Sequence, residues 1–134
     1  MPSKVSVIIG TKGRPDLLSR AVYSVLTQTY VDLECIVIDA STKINNDLCN
    51  KFKDNRLKYL HLKSDPGRER TLKLGISMAK GNLICFLDDD DVYLPDKILE
   101  QVNVYRSSSE DLAIVYCWGM VVDEISGKVL EKVE

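Results

Sequence analysis

At 134 residues the chain holds one domain's worth of sequence, and 45% apolar with 28% charged residues exclude intrinsic disorder. A net charge of −2 gives no general pull toward nucleic acid, and no such partner is expected. No apolar run approaches the ~20 residues that span a bilayer, and the N-terminus lacks a signal-peptide pattern, so the cytoplasm is the default compartment.

Val5-Ser6-Val7-Ile8-Ile9 is a β-branched run that stops at Gly10 and reads as a central buried strand. After a loop over 10–14, Pro15 and Asp16 make a helix start, with proline at the first position and a carboxylate in the first turn. Leu17, Leu18, Ala21, Val22, Val25 and Leu26 share one stripe, which predicts an amphipathic helix to about Gln28. A second strand is expected over 33–38, ending at Asp39, then a short helix over 45–53 and a third strand over 57–62. Ser64-Asp65-Pro66-Gly67 is loop chemistry. A helix follows over 69–79 with Gly81 as its C-terminal stop, then a fourth strand over 83–87. Pro95 is expected to open a helix through Ile98, Leu99, Val102 and Tyr105. A fifth strand is read over 113–122, and Ser126-Gly127 turns toward a last short strand near Val129-Leu130.

Cys35, Cys49, Cys85 and Cys117 contain no CxxC pair, which speaks against zinc or a disulfide framework; Cys35 and Cys85 read as small core residues. His61, the only histidine, alternates with apolar residues and reads as a strand residue. Strand and helix alternate throughout, which implies a mostly parallel central sheet with helices on both faces, a three-layer Rossmann-like α/β domain over 1–134. In such sheets ligands lie beyond the carboxyl ends of the strands. Three polar features fall there: residues 11–14, Asp39, and the run Asp88-Asp89-Asp90-Asp91.

Four adjacent carboxylates repel one another, by about 1 kcal/mol for a pair ~4 Å apart in water and about 4 near a protein surface. At the end of a buried strand they are read as a cation site, against the alternative of a solvated acidic loop. Asp88 and Asp90 would share a face if extended geometry persists. Hard oxygen donors suit Mg2+, Mn2+ or Ca2+ better than zinc or copper.

The pieces Val5-Ser6-Val7-Ile8-Ile9-Gly10-Thr11, Arg14-Pro15-Asp16-Leu17-Leu18, Ser24-Val25-Leu26-Thr27-Gln28-Thr29-Tyr30 and Glu34-Cys35-Ile36-Val37-Ile38-Asp39 stand in one order. Gly75-Ile76-Ser77-Met78-Ala79-Lys80-Gly81, Phe86-Leu87-Asp88-Asp89-Asp90-Asp91 and Leu94-Pro95-Asp96-Lys97 continue it. In that order and spacing the chain resembles the nucleotide-binding part of a family 2 glycosyltransferase with the GT-A fold. The resemblance implies transfer of a sugar, with inversion, from a nucleotide-diphosphate sugar such as a UDP-sugar, aided by Mg2+ or Mn2+. It implies contacts to the donor from Thr11, Asp39, Arg70, Asp88 and Asp89, with Asp88 and Asp90 as the DxD metal ligands. The acceptor, a glycan, lipid or protein, and the general base are expected in a C-terminal part beyond this segment, which leaves the catalytic residues unassigned. Peripheral attachment to the inner face of a membrane and self-association are both compatible with such a chain.

Several positions depart from the family pattern. Gly10 stands where proline is usual, Lys12-Gly13 replaces an aromatic-asparagine pair, and Ala40-Ser41 replaces a second aspartate and glycine. The usual alanine-arginine-asparagine ahead of Gly75 reads Thr71-Leu72-Lys73; Arg68 and Arg70 lie upstream, either reaching a diphosphate from the helix N-terminus or facing solvent. The alternative function is a non-catalytic nucleotide-binding or protein-interaction module on the same fold. A phosphoryl-transfer domain of receiver type would place its aspartates behind the first strand, where Gly10-Thr11-Lys12-Gly13 stands. An EF-hand fails at Tyr93 and Leu99, and the GxxxxGK[ST] loop is absent.

Overall fold

The computed structural model describes residues 3–108 and 111–133. The chain divides into two compact units, Met1–Ile98 and Leu99–Glu134. In the first, strands β1 (Val5–Thr11), β2 (Leu33–Asp39), β3 (Leu57–His61) and β4 (Leu83–Phe86) alternate with helices α1 (Pro15–Leu26), α2 (Asp47–Phe52) and α3 (Arg68–Met78). Helix α4 (Lys97–Ser107) spans the boundary in sequence. The four strands form one parallel sheet in the order β3-β2-β1-β4.

The two central strands are buried on both faces and apolar between Ser6 and Glu34 at one end and Thr11 and Asp39 at the other. Val7, Ile8 and Ile9 of β1 and Cys35, Ile36, Val37 and Ile38 of β2 are 0% exposed. Strands buried on both sides need no polar alternation, because helices cover each face. Each such aliphatic side chain contributes roughly 1.5–3 kcal/mol of burial. Helix α1 begins with proline at its start and Asp16 in its first turn, and buries Leu18, Ala21, Val22 and Val25. Strand β4 differs: Ile84 and Phe86 are 38% and 50% exposed although its sequence is uniformly apolar.

Helix α3 is seated against β1 by two glycines. A Cβ on Gly75 would lie 2.4 Å from Ile8 Cγ2, and one on Gly81 would lie 2.6 Å from the Lys4 carbonyl oxygen. Gly81, expected as a left-handed helix stop, is therefore a packing glycine. The helix ends at Met78, with Ala79 already extended (φ −64°, ψ 137°), and Gly81 has no positive φ.

A polar network closes the amino-terminal end of the sheet. Glu34, 2% exposed, accepts hydrogen bonds from Ser6 Oγ (2.6 Å) and the Lys80 amide (2.6 Å) and pairs with Lys58. Ser6 Oγ also accepts from the Gly81 amide at 2.8 Å. Ser6 and Glu34 are register neighbours, so the α3–β4 turn is pinned to both central strands at once. Burial alone would raise the Glu34 carboxyl, but the bonds from Lys58, Ser6 and Lys80 outweigh it and hold the group at about 2 instead of 4.5.

Two elements differ from the sequence reading. The predicted strand over 113–122 shrinks to β5 (Gly119–Val122), which pairs antiparallel with β6 (Val129–Val133) in a separate two-stranded sheet. Residues 112–118 carry no strand assignment, and Ile114, Tyr116 and Trp118 are exposed. Apolar alternation supplies strand propensity there without a ladder partner among the described residues. Proline 95 does not open α4. Its carbonyl accepts from the Thr29 amide (3.0 Å), and the helix starts two residues later.

Because the Glu34 carboxyl is depressed on folding, its contribution is complete above about pH 4.5 and fades as the pH falls toward 2. The full shift corresponds to at most about 3 kcal/mol. Urea titrations at pH 7 and pH 3 are expected to show wild type losing more stability on acidification than Glu34→Gln. Gly75→Ala is expected to cost about 1–3 kcal/mol in the same assay, since Ile8 is fully enclosed and cannot retreat.

Candidate active site

The carboxyl ends of β1 and β4 meet through hydrogen bonds that continue past the ladder. Leu87 N donates to the Ile8 carbonyl at 3.1 Å, after which the chain turns, with the Asp91 amide donating to the Asp88 carbonyl at 3.1 Å. The aspartates thus occupy a turn rather than the extended segment expected to place Asp88 and Asp90 on one face. The turn sends Asp89 inward and leaves Asp88, Asp90 and Asp91 exposed. It is tied on its far side as well. Tyr93 N donates to Ser24 Oγ (3.1 Å), Tyr93 OH to the Phe86 carbonyl (2.6 Å), and buried Gln28 donates to the Leu94 carbonyl (2.6 Å) and accepts from Ile98 N (3.0 Å).

Asp89 is 1% exposed. One of its oxygens accepts from Thr11 Oγ1 at 2.6 Å, and the other pairs with Arg14 Nη2 at 2.7 Å. Arg14 also reaches Asp90 at 2.9 Å. Asp39 is likewise 1% exposed and stands beside Thr11 in the ladder. Its carboxylate accepts from the Ser41 amide (2.8 Å), the Ser41 hydroxyl and the Tyr59 hydroxyl (2.6 Å). Burial, reinforced by the Asp39 carboxylate, pushes the Tyr59 phenol up to about 12. His61 Nε2 lies 2.8 Å from the Ser41 carbonyl oxygen, which makes it part of the same loop brace.

A cleft of about 190 Å3 opens at these strand ends, lined by Gly10, Thr11, Lys12, Arg14, Ala40 and Asp88 on the sheet side. Asp65, Arg68, Thr71 and Leu72 line it from the loop before α3 and from α3 itself. Lys12 Nζ pairs with Asp65 at 2.8 Å, Asp65 also accepts from the Gly67 amide, and Arg68 pairs with Asp88 at 2.6 Å. The lysine bond, followed by that amide, holds the Asp65 carboxyl below the usual carboxylate range. One oxygen from each of Asp88, Asp90 and Asp91 falls within 4.8 Å of the others. Burial, then the charges of Asp90 and Asp88, raise the Asp91 carboxyl. A roomier groove beside α1, lined by Tyr23, Phe52, Val92, Tyr93 and Pro95 with Asp16, Arg20 and Lys51, carries one carboxylate and one guanidinium where the cleft carries two of each.

Of the residues expected at the site, Thr11 and Asp88 line the cleft, and Asp90 stands beside Asp88 in the acidic cluster. Asp39 and Asp89 are brought to the same strand ends but lie beneath the surface with their oxygens already engaged. Arg70 is exposed on α3 and does not line the cleft; Arg68 does. The sequence placed residues 11–14 and the run to Asp91 at the strand ends without giving Lys12, Arg14 or Asp91 an individual role, and it marked Asp65 only as loop chemistry. Signals were present for two of them: Asp91 closes the acidic run, and Arg14 precedes the helix-opening proline directly after β1.

Residues 6–124 match glycosyl transferase family 2. Glycosyltransferase RP339 of Rickettsia prowazekii is 32% identical over 122 residues, covering 91% of this chain and 38% of that protein. Escherichia coli WfaP, a UDP-Glc:alpha-D-GlcNAc-diphosphoundecaprenol beta-1,3-glucosyltransferase, is 35% identical over 100 residues, or 74% of this chain and 40% of its own length. The chain therefore spans about two-fifths of these relatives. Among solved structures, S. aureus TarS 1-349 in complex with UDP superimposes with a TM-score of 0.67 at 22% identity, covering 77% of this chain and 32% of that one. The mannosyltransferase PcManGT from Pyrobaculum calidifontis, solved with GDP-Man and Mn2+, gives 0.67 at 18% identity, covering 78% and 32%. These structural likenesses establish the shared Rossmann-like GT-A fold, and the sequence match establishes the family: the chain belongs to glycosyl transferase family 2.

Proposed function

We propose that this chain forms the donor-binding part of a glycosyltransferase that moves a sugar, with inversion, from a nucleotide-diphosphate sugar to an acceptor hydroxyl, using Mg2+ or Mn2+. The observation that carries the reading is the convergence of Thr11, Arg14, Arg68 and the aspartate turn on one cleft at the carboxyl ends of β1 and β4. The names of related proteins support a nucleotide-sugar donor, through UDP for TarS, GDP-Man for PcManGT and UDP-Glc for WfaP.

The donor set fits a hard divalent cation. Asp88, Asp90 and Asp91 offer only carboxylate oxygens, close together and exposed, with no nitrogen or sulfur ligand among them. Five aspartates at the cleft and its turn (Asp65, Asp88, Asp89, Asp90 and Asp91) face three cations, Lys12, Arg14 and Arg68. When bound, the divalent ion supplies Lewis-acid stabilisation of the departing diphosphate.

The chain's own groups have distinct tasks. Asp88, Asp90 and Asp91 hold the cation, and Thr11, Gly10 and Ala40 form a wall of small side chains along the nucleotide. Asp89 and Asp39 act from beneath, fixing Thr11, Arg14 and the Ser41 loop. The general base is sought outside the β5–β6 turn. Asp123 there is occupied by the Ser126 amide and hydroxyl, each at 2.7 Å, and those bonds keep its carboxyl below the usual range.

At millimolar ligand, UDP or GDP is expected to raise the melting temperature in the presence of Mn2+ or Mg2+ and not in EDTA. No rise with either nucleotide would remove the donor assignment. Asp90→Ala is expected to abolish the metal-dependent rise while leaving the melting temperature without ligand nearly unchanged, because Asp90 is exposed. Thr11→Val strips a bond from buried Asp89 and is expected to lower stability by about 1–3 kcal/mol in urea titration.

A further inference from the structure

The three cations of the cleft are held unequally. Arg14 divides its guanidinium between buried Asp89 and Asp90. Lys12 pairs with Asp65, whose second oxygen is fixed by the Gly67 amide. The Arg68 pair with Asp88, at 2.6 Å, is the most exposed of the three, with side chains 75% and 49% exposed. Solvent screening makes such a pair easy to exchange.

The surroundings of Arg68 suit an anion. It is the first residue of the 11-residue α3, behind Gly67, whose positive φ of 88° suits glycine and which supplies no side-chain cap. The positive end of the helix therefore sits at the cleft beside a guanidinium that can grip phosphate oxygens in a fork. One turn along, Leu72 lines the cleft with an apolar side chain. Lys73 is paired with Glu69 at 2.6 Å, and Arg70 does not line the cleft. The charge that α3 offers to the cleft is concentrated in Arg68.

Asp88 is both the partner of Arg68 and a member of the acidic cluster. A cation bound there and Arg68 compete for the same carboxylate. We propose that Arg68 is an exchangeable counter-ion: it neutralises Asp88 until a divalent cation takes its place, then transfers its guanidinium to the donor's diphosphate. The inference rests on the donor-site reading and goes beyond it by assigning the phosphate-gripping cation and coupling its release to metal entry. Arg68 then opposes binding of the cation alone and favours binding of nucleoside diphosphate once the cation is present.

The test is Arg68→Ala in the 134-residue chain. Mn2+ alone is titrated by electron paramagnetic resonance, and UDP and GDP are titrated by calorimetry in saturating Mn2+. The expected result is opposite signs: Mn2+ alone binds about two- to fivefold more tightly, and nucleotide binds roughly ten- to a hundredfold more weakly. Arg68→Lys, which keeps the charge without the fork, is expected to return Mn2+ affinity toward wild type and nucleotide affinity only in part. Changes of the same sign, or none, while wild type still binds nucleotide would overturn the exchange and leave the donor site standing. Wild type that binds neither UDP nor GDP in Mn2+ would overturn both.

Discussion

Asp89 is the carboxylate through which the candidate site holds together. Its two oxygens join the last residue of β1, the loop that follows it, and the turn after β4, by way of Thr11 and Arg14. Burying a carboxylate is expensive unless its lone pairs are met, and here a hydroxyl and a guanidinium meet them. The interaction is therefore less a source of stability than a geometric constraint. It allows one placement of the aspartate turn relative to β1, and that placement turns Asp88, Asp90 and Asp91 outward together. Three like charges within 4.8 Å would separate if their backbone could move. Hydrogen bonds that tie the segment beyond the turn to Ser24, which accepts from Tyr93 N, and to Gln28 remove that freedom.

The opposite end of the sheet carries the complementary constraint. Glu34, Ser6 and the amides of Lys80 and Gly81 fix where the chain leaves α3 and enters β4, while Gly75 lets α3 lie almost on Ile8. A helix clamped at its carboxyl end and along its length has a determined amino end. That amino end is where Arg68, Thr71 and Leu72 meet the cleft. The buried network near the start of the strands thus positions chemistry at their finish, through the rigid body of one helix.

How much of this is legible in the sequence depends on whether the signal is periodic or relational. β1, α1, β2 and β4 announce themselves because short, mostly apolar runs and a single helical stripe are local properties, and the parallel order follows from their alternation. Convergence of Thr11, Asp39 and the aspartates at one set of strand ends also follows, since parallel strands all finish on the same side. Which carboxylates face solvent does not follow. Alternation puts Asp89 opposite Asp88 and Asp90, as observed, but the turn after Leu87 also brings Asp91 outside, where an extended segment would have sent it inward with Asp89. The choice between Arg68 and Arg70 is a matter of helix phase, two residues apart and so on different faces. The segment over 112–118 shows the limit of strand propensity, because pairing requires a partner that no local pattern names.

The charge pattern of the cleft explains why arginine, rather than lysine, bridges the aspartate turn. Arg14 must satisfy an inward carboxylate and an outward one with a single side chain, and only a planar guanidinium presents two divergent N–H groups at 2.7 and 2.9 Å. Since its Asp89 contact is buried, Arg14 cannot leave without stranding that charge. Under the proposed function it would stay in place as the outer aspartates took up a cation. Arg68 has no inward anchor and neutralises only Asp88. The two guanidinium groups at one turn are therefore unequal by the burial of their partners: Arg14 maintains the geometry of the aspartate turn, and Arg68 is the one the proposed exchange can release.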